Sequence, residues 1–176
     1  MMRAERIFRI VEATGIFVGI LALALGAAEY RRNSARDRQE ASLQYILQFQ
    51  TDPVRQSYNR VSSSWFDYDL AQIFALPNRE EVTAALSDRI VHAEGGKEFI
   101  SSFTNLVGFL DAAAACAKAS VCDSLLLSQE FAGPSHTLMC LHGSLIETIQ
   151  RQQDRLAFGA GLRFFAATSD CRSTAP

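Results

Sequence analysis

The sequence contains few of the residues that interrupt regular structure. Proline occurs four times and glycine ten times in 176 residues, which is too few for a low-complexity chain or a strand-rich sandwich. No stretch alternates apolar and polar residues for long enough to demand a β-strand. Apolar residues recur at helical spacing along most of the chain instead. The sequence therefore predicts an all-α protein.

The chain also lacks a strong net charge. Its 17 basic and 19 acidic residues give a formal charge of −2, so no basic surface indicates nucleic acid as a partner. The charge is unevenly spread, because residues 1–40 hold seven arginines and five acidic residues while the remainder is acidic. These arginines lie on both sides of an apolar run, which is typical of a segment that flanks a membrane span.

Catalytic motifs are missing as well. The run GGK at 95–97 is not a phosphate loop, because Val91 stands where the first glycine of that motif belongs. The run GPSH at 133–136 is not a nucleophile elbow, because no predicted strand precedes it. Asp67 and Asp69 are two residues apart, so their carboxylates would point in different directions on a helix. We expect no enzymatic activity and no cofactor.

The most informative feature that is present is a long apolar run near the N-terminus. Residues 13–28 carry no charge, but at about 1.5 Å per residue they cover only about 24 Å of a bilayer core about 30 Å thick. The run reaches spanning length if it extends back through residues 7–11. A cleaved signal peptide and a buried helix of a soluble domain are the alternatives. Because Glu5 and Glu12 are atypical of a signal peptide, and the run has no polar face, we favour an uncleaved transmembrane anchor.

Several residues of the anchor are predicted to make contacts. Gly15 and Gly19 form a G-x-x-x-G motif for close helix packing, and a carboxylate at Glu12 must reach water, stay protonated or meet a partner. With Gly26 and the interfacial aromatic Tyr30, they form a predicted interface with the bilayer, with other membrane proteins or with a second copy of the chain.

The arginines that follow the span have two predicted roles. They can bind anionic lipid head groups, and by the positive-inside rule they favour the C-terminal side of the span as cytoplasmic. We therefore expect a single-pass protein of the cell inner membrane with a cytoplasmic C-terminal domain. The arginines concerned are Arg31, Arg32, Arg36 and Arg38.

The remaining sequence predicts one juxtamembrane helix and a small bundle of about five helices. We expect the anchor at 1–30, a helix that continues it over 31–50, a helical domain at 51–165 and a flexible tail at 166–176. Thr51 or Asp52 and Asn78 are predicted helix caps, and Gly133-Pro134 is predicted to separate a short helix from a last long one.

The two longest predicted helices of the domain have clear apolar faces. The first has a seam in steps of four and three, formed by Phe99, Phe103, Leu106, Leu110, Ala113 and Ala117. The second presents Leu138, Leu141, Leu145, Ile149 and Leu156 on one face. His142 lies in this second helix, and we expect it to be a surface or hydrogen-bonded interior imidazole rather than a catalyst.

The four cysteines leave three interpretations open: a disulfide, buried or free thiols, or a metal site. Their spacing matches no known disulfide framework, so either one disulfide forms, with Cys116–Cys122 favoured, or the thiols stay buried or free. Alternatively they bind a metal. His136 and Cys140 would share one helical face, and Cys116 and Cys122 flank the preceding turn, so the four residues suit a tetrahedral zinc site.

The segment FTNLVGFLDAAAACAKASVCDSLLLSQEF, followed by a Gly-Pro pair and another helix, resembles an uncharacterised family of bacterial single-pass membrane proteins. Phe103 falls at the aromatic position of the family, Asp123 at the acidic position after its turn, and Phe131 at the phenylalanine that ends its next helix. The resemblance implies an N-terminal anchor, a long juxtamembrane helix and a small helical domain of unknown function.

These observations predict a membrane-anchored helical interaction or scaffolding protein, an accessory subunit of a larger membrane complex. Its expected partners are the lipid bilayer and other membrane proteins or itself. The alternative is a zinc-binding sensor domain tethered to the membrane through the same anchor.

Overall fold

The computed structural model describes the backbone of residues 2–166 and of Cys171, and the side chains of these residues except 2–22, 24, 28 and 71. All regular structure in this part of the chain is helical, which confirms the predicted all-α class. The helices are α1 (Met2–Phe49), α2 (Val54–Ser63), α3 (Leu70–Ala75), α4 (Arg79–His92), α5 (Gly96–Lys118), α6 (Ser124–Gln153) and α7 (Ala160–Phe165).

The chain divides into two compact units, Met1–Arg38 and Gln39–Pro176. Helix α1 is continuous over 48 residues, which confirms the expectation of one long helix that ends near Gln50. Most side chains of the predicted anchor at 1–30 lie outside the described residues. The second unit contains the helical bundle, in whose described residues six helices follow α1 where about five were predicted. Two of them, α3 and α7, are short helices of six residues each.

Helix α5 forms the centre of the bundle. All six residues of its predicted seam are buried, and Phe103, Leu106 and Leu110 have no exposed surface. Among the described residues, α5 is also the one helix that is long and apolar enough to cross a membrane. Because ten of its residues are buried by other parts of the protein, we assign α5 as the core helix of the bundle.

The aromatic side chains that surround α5 come from several helices. The ring of Phe131, in α6, lies edge-on to Phe49, Phe109 and Phe165 with centroid separations of 5.3, 5.8 and 5.4 Å. Such edge-to-face pairs stabilise a core by about 0.5–1.5 kcal/mol each beyond the burial of their area. The end of α1 and the apolar side chains of α7 are thereby part of one core with α5 and α6.

Helix α7 is held against α5 by a carboxylate and a close backbone contact. Asp111 accepts hydrogen bonds from the backbone N–H groups of Gly159 and Gly161, at 2.9 and 2.6 Å. Gly159 has a φ of +76°, which glycine adopts without strain. A Cβ at position 161 would lie 2.3 Å from the carbonyl oxygen of Leu110, so only glycine allows this approach.

The structure of α6 corrects the prediction that Gly133-Pro134 separates a short helix from a last long one. The helix runs without a break through Gly133-Pro134, and its irregular point is His142, with φ −125° and ψ 20°. A proline inside a helix removes one backbone hydrogen bond, but the buried Phe131 and Leu138 on either side pack into the core and keep the helix continuous. Asp123 caps its first turn by accepting from the N–H groups of Leu125 and Leu126.

Of the two predicted caps, one is correctly placed. Asn78 is the N-cap residue of α4, as predicted, but its side chain makes no capping hydrogen bond, because its φ of −104° and ψ of 30° differ from the extended backbone that an N-cap residue usually has. The prediction for α2 is wrong, because its N-cap residue is Pro53, which makes no side-chain capping hydrogen bond, rather than Thr51 or Asp52. Asp69, in contrast, caps α3 by accepting from the N–H of Gln72 at 3.1 Å.

Candidate functional site

The most constrained polar group in the bundle is the imidazole of His142. Its Nε2 atom lies 3.0 Å from Nε1 of Trp65, and its Nδ1 atom lies 3.2 Å from Oγ of Ser87. The exposed fractions of these three residues are 0%, 3% and 2%. The hydroxyl of Ser87 in turn donates to the carbonyl oxygen of Leu141 at 3.0 Å. The chain of hydrogen bonds joins the segment after α2, helix α4 and the kink of α6.

The donors and acceptors in this chain fix the positions of the protons. The indole Nε1–H of Trp65 can only donate, so Nε2 of His142 must accept and carries no proton. A neutral imidazole then has its proton on Nδ1, from which it donates to Ser87. Because Ser87 donates onward to Leu141, every polar hydrogen in the chain has one acceptor.

The surroundings of His142 keep the imidazole neutral. The rings of Trp65, Phe99 and Phe103 pack around it at centroid distances of 5.4, 5.5 and 5.1 Å. Burial among these rings removes water from the charged form and lowers the pKa of His142 from 6.5 to about 3. The group is thus a satisfied interior histidine, as the sequence indicated, and its low basicity argues against a role as general base near neutral pH.

An apolar cleft of about 220 Å³ opens beside this hydrogen-bond chain. It lies between the segment around α2 and the middle of α6, and Trp65, Leu141 and His142 contribute to its lining. At the same cleft, the ring of Phe66 is 82% exposed.

The four cysteines form two disulfides. Cys116 pairs with Cys122 across the turn between α5 and α6, with a Cα–Cα distance of 5.3 Å. Cys140, in α6, pairs with Cys171 at a Cα–Cα distance of 5.7 Å, across 31 residues of sequence. The sequence favoured the first pairing as one of its alternatives, whereas the second was not foreseen.

The structure does not gather the four residues of the predicted zinc site. It brings His136 and Cys140 together, with Cys140 Sγ at 3.8 Å from Nε2 and 3.9 Å from Nδ1 of His136. The third residue beside them is Cys171, and one donor atom from each of the three lies within 4.8 Å of the others. Cys116 and Cys122 are not part of this group.

The predicted anchor contacts are only partly within the described residues. The side chains of Glu12, Gly15 and Gly19 lie outside them. Gly26 is exposed, with open space where a Cβ would be, and Tyr30 is 76% exposed. Three of the predicted lipid-binding arginines are exposed, namely Arg31, Arg32 and Arg36. The fourth, Arg38, is half-buried and donates a hydrogen bond to Oγ of Ser34 at 3.4 Å.

Sequence reasoning missed the connection between Trp65, Ser87 and His142. The sequence assigned no role to Trp65 or Ser87, because they lie 77 and 55 residues from His142 in the chain and local spacing does not connect them. Comparisons with protein-family models, with curated proteins and with solved structures give no match for this chain.

Proposed function

We propose that the protein is a single-pass membrane protein of the cell inner membrane whose helical bundle is an interaction or scaffolding domain, an accessory part of a larger membrane assembly. The observation that carries this proposal is the exposed apolar surface of α1. Leu23, Leu25 and Tyr30 are 75%, 63% and 76% exposed, within or next to a run without charge. An exposed apolar stretch that ends in arginines is typical of a helix that enters a bilayer.

The orientation that we propose differs from the one that the arginine count favours. Both disulfides are of a kind that persists in oxidising compartments and is rare in the cytosol. The arginine count separates the two orientations only slightly, because Arg3, Arg6 and Arg9 flank the other end of the run. We therefore propose that the bundle faces the oxidising side of the membrane.

An interaction role is supported by large apolar side chains that the bundle leaves exposed. Phe66, Leu125 and Leu47 are 82%, 75% and 60% exposed. Phe66 also lies at the apolar cleft beside α6, where an exposed apolar ring next to an apolar cleft offers a contact for a partner or a lipid surface. The absence of a catalytic motif in the sequence fits the same proposal.

Membrane attachment is tested by fractionating cells and extracting the membranes with alkaline carbonate. The wild-type protein is expected to stay in the pellet, and the variant L23R/L25R is expected to be released, because two charges in the span are costly. The matched control is Leu156→Arg, since Leu156 is 80% exposed but lies in the bundle. Release of the wild-type protein, or equal retention of L23R/L25R, would contradict the anchor.

Orientation and partners need two further measurements. Cells are quenched in acid and their thiols are alkylated with a maleimide polymer before and after reduction. Modification only after reduction supports the oxidising side, whereas modification without reduction contradicts it.

Crosslinking in native membranes, followed by mass spectrometry, is expected to give specific crosslinks from the bundle to another protein or to a second copy. A chain that stays an uncrosslinked monomer would contradict the scaffolding role.

A further inference from the structure

We propose that reduction of the Cys140–Cys171 disulfide creates a zinc site made by His136, Cys140 and Cys171. In the oxidised protein both sulfurs are bonded to each other and cannot act as thiolate ligands. In the reduced protein the same two sulfurs and one imidazole nitrogen are left side by side. The site would therefore bind metal only in the reduced state, and the proposal is independent of membrane attachment.

The geometry is already close to what zinc requires. Zinc bonds of about 2.3 Å to sulfur and about 2.0–2.1 Å to nitrogen, at tetrahedral angles, place neighbouring ligand atoms about 3.5–3.8 Å apart. Cys140 Sγ lies 3.8 Å from Nε2 of His136, so α6 holds these two donors at the required spacing. A turn of the imidazole points one nitrogen at the metal, and the two sulfurs separate once their bond is broken.

His136 and Cys140 are held in place by the helix that carries them. They are four residues apart in α6 and therefore lie on the same face, one turn from each other. His136 is 8% exposed, so it lies within the folded bundle rather than on its outer surface. Cys171 is added from a part of the chain 31 residues later, which makes the site dependent on the folded arrangement of the protein.

Access to the site is provided by a polar cleft of about 310 Å³. Cys140 and Cys171 line this cleft together with the acidic residues Glu80 and Glu147. A metal ion can enter from this side, and water or a carboxylate can occupy the fourth position. Three protein ligands with an open fourth position are typical of exchangeable or catalytic zinc rather than closed structural zinc.

The chemistry balances with a dithiol as the reductant. Two thiol–disulfide exchanges transfer two electrons and two protons to the protein, so that Cys140 and Cys171 become thiols and the dithiol becomes a cyclic disulfide. Binding of Zn²⁺ then releases the two thiol protons, because thiolates are the ligands. In the metal-bound form the imidazole of His136 is a neutral ligand that contributes the lone pair of one ring nitrogen.

The test uses the full-length protein in detergent, reduced with a phosphine that does not compete strongly for metal, and Co²⁺ as a spectroscopic probe. Reduced wild-type protein is expected to bind one Co²⁺ per chain, with a thiolate-to-cobalt charge-transfer band, and to exchange it for Zn²⁺. Oxidised protein is expected to show no such band. The variants Cys171→Ser and His136→Phe are expected to bind at least roughly tenfold more weakly.

The matched control is the variant C116S/C122S, which removes the other disulfide and leaves the proposed ligands. It is expected to bind Co²⁺ like the wild type after reduction. Absence of metal binding by the reduced wild type would overturn the proposal. Binding that survives Cys171→Ser but disappears in C116S/C122S would overturn it as well. If C116S/C122S fails to fold, the comparison of wild type with C140S/C171S still decides, since equal binding by these two excludes the site.

Discussion

At the scale of single residues, the position of one proton links two helices of the bundle, α4 and α6, to the segment that follows α2. The Nδ1 proton of His142 is fixed by the indole of Trp65, which occupies Nε2 as an acceptor. Protonation of Nε2 would turn this contact into two donors facing each other. It would also place a charge among aromatic rings. The neutral imidazole is therefore required for this part of the fold.

The first prediction concerns pH. The pKa of His142 is about 3 in the folded protein against 6.5 as its ordinary value, so between these values the unfolded chain binds a proton that the folded one does not. The contribution of the neutral His142 to the free energy of unfolding is then fully present above about pH 6.5. Below that pH the free energy of unfolding falls by up to about 1.4 kcal/mol per pH unit. Trp65 is the sole tryptophan, so its fluorescence in urea titrations at several pH values reports the unfolding directly.

The matching variants for this prediction are His142→Gln and His92→Gln. His142→Gln removes the titrating group and is expected to flatten the loss of stability below pH 6.5, whatever its cost at neutral pH. His92→Gln replaces an exposed imidazole at the end of α4 that lies outside this hydrogen-bond chain, so a flattening seen only in His142→Gln assigns the effect to His142. An unchanged pH dependence in His142→Gln would disprove the assignment.

The second prediction contrasts two buried serines. The hydroxyl of Ser135 is buried and has no hydrogen-bond partner among the described residues, whereas that of Ser87 bridges His142 and Leu141. Ser135→Ala is expected to raise the free energy of unfolding by up to about 1 kcal/mol. Ser87→Ala is expected to lower it by about 1–3 kcal/mol, because it leaves the Nδ1–H of His142 unpaired. Equal effects of the two changes, measured by chemical denaturation, would contradict this account.

At the scale of elements, the close contact between α5 and α7 depends on Gly161, which has no side chain to hold the two helices apart. Position 161 faces the backbone of Leu110 so closely that no Cβ fits. The carboxylate of Asp111 satisfies two N–H groups at the start of α7, which a helix of six residues could not satisfy internally. The short helix is therefore stable only where α5 supports it.

The third prediction tests this contact with two glycines. Gly161→Ala is expected to lower the free energy of unfolding by about 1–3 kcal/mol or more, because the new methyl group forces α7 away from α5. Gly108→Ala, in α5, places its methyl group in open space and is expected to raise stability by up to about 1 kcal/mol. Thermal unfolding followed by circular dichroism distinguishes the two. A Gly161→Ala protein as stable as the wild type would show that α7 does not pack in this way.

At the scale of the whole molecule, the sequence predicted the features that depend on local residue spacing. It did not predict contacts between residues that lie far apart in the chain. The seam of α5 followed from spacing alone, since a helix places residues three and four apart on one face. The continuity of α6 through Pro134 depended on packing on both sides, which local sequence does not contain. The same applies to the contact of Trp65 with His142, 77 residues away, and to the Cys140–Cys171 pair.

The fourth prediction compares the two disulfides. The chain-entropy model assigns more stabilisation to the cross-link that closes the longer loop, about 4 kcal/mol for 31 residues against about 2 kcal/mol for six. We therefore expect C140S/C171S to lower the free energy of unfolding more than C116S/C122S. Urea titrations of the two double variants under non-reducing conditions measure the difference. The reverse order would mean that the Cys140–Cys171 link does not tie down an ordered part of the fold.

The position of α7 in the chain has a consequence for biosynthesis. Phe158, Leu162 and Phe165 are buried against α5 and α6, and in chain order they come after every other apolar core residue of the described part. A chain that emerges from its N-terminus therefore exposes Phe103 and Phe131 for the whole time that the last helix is still being made. Completion of the core has to wait for the last helix, and until then the apolar side chains that this helix covers remain exposed.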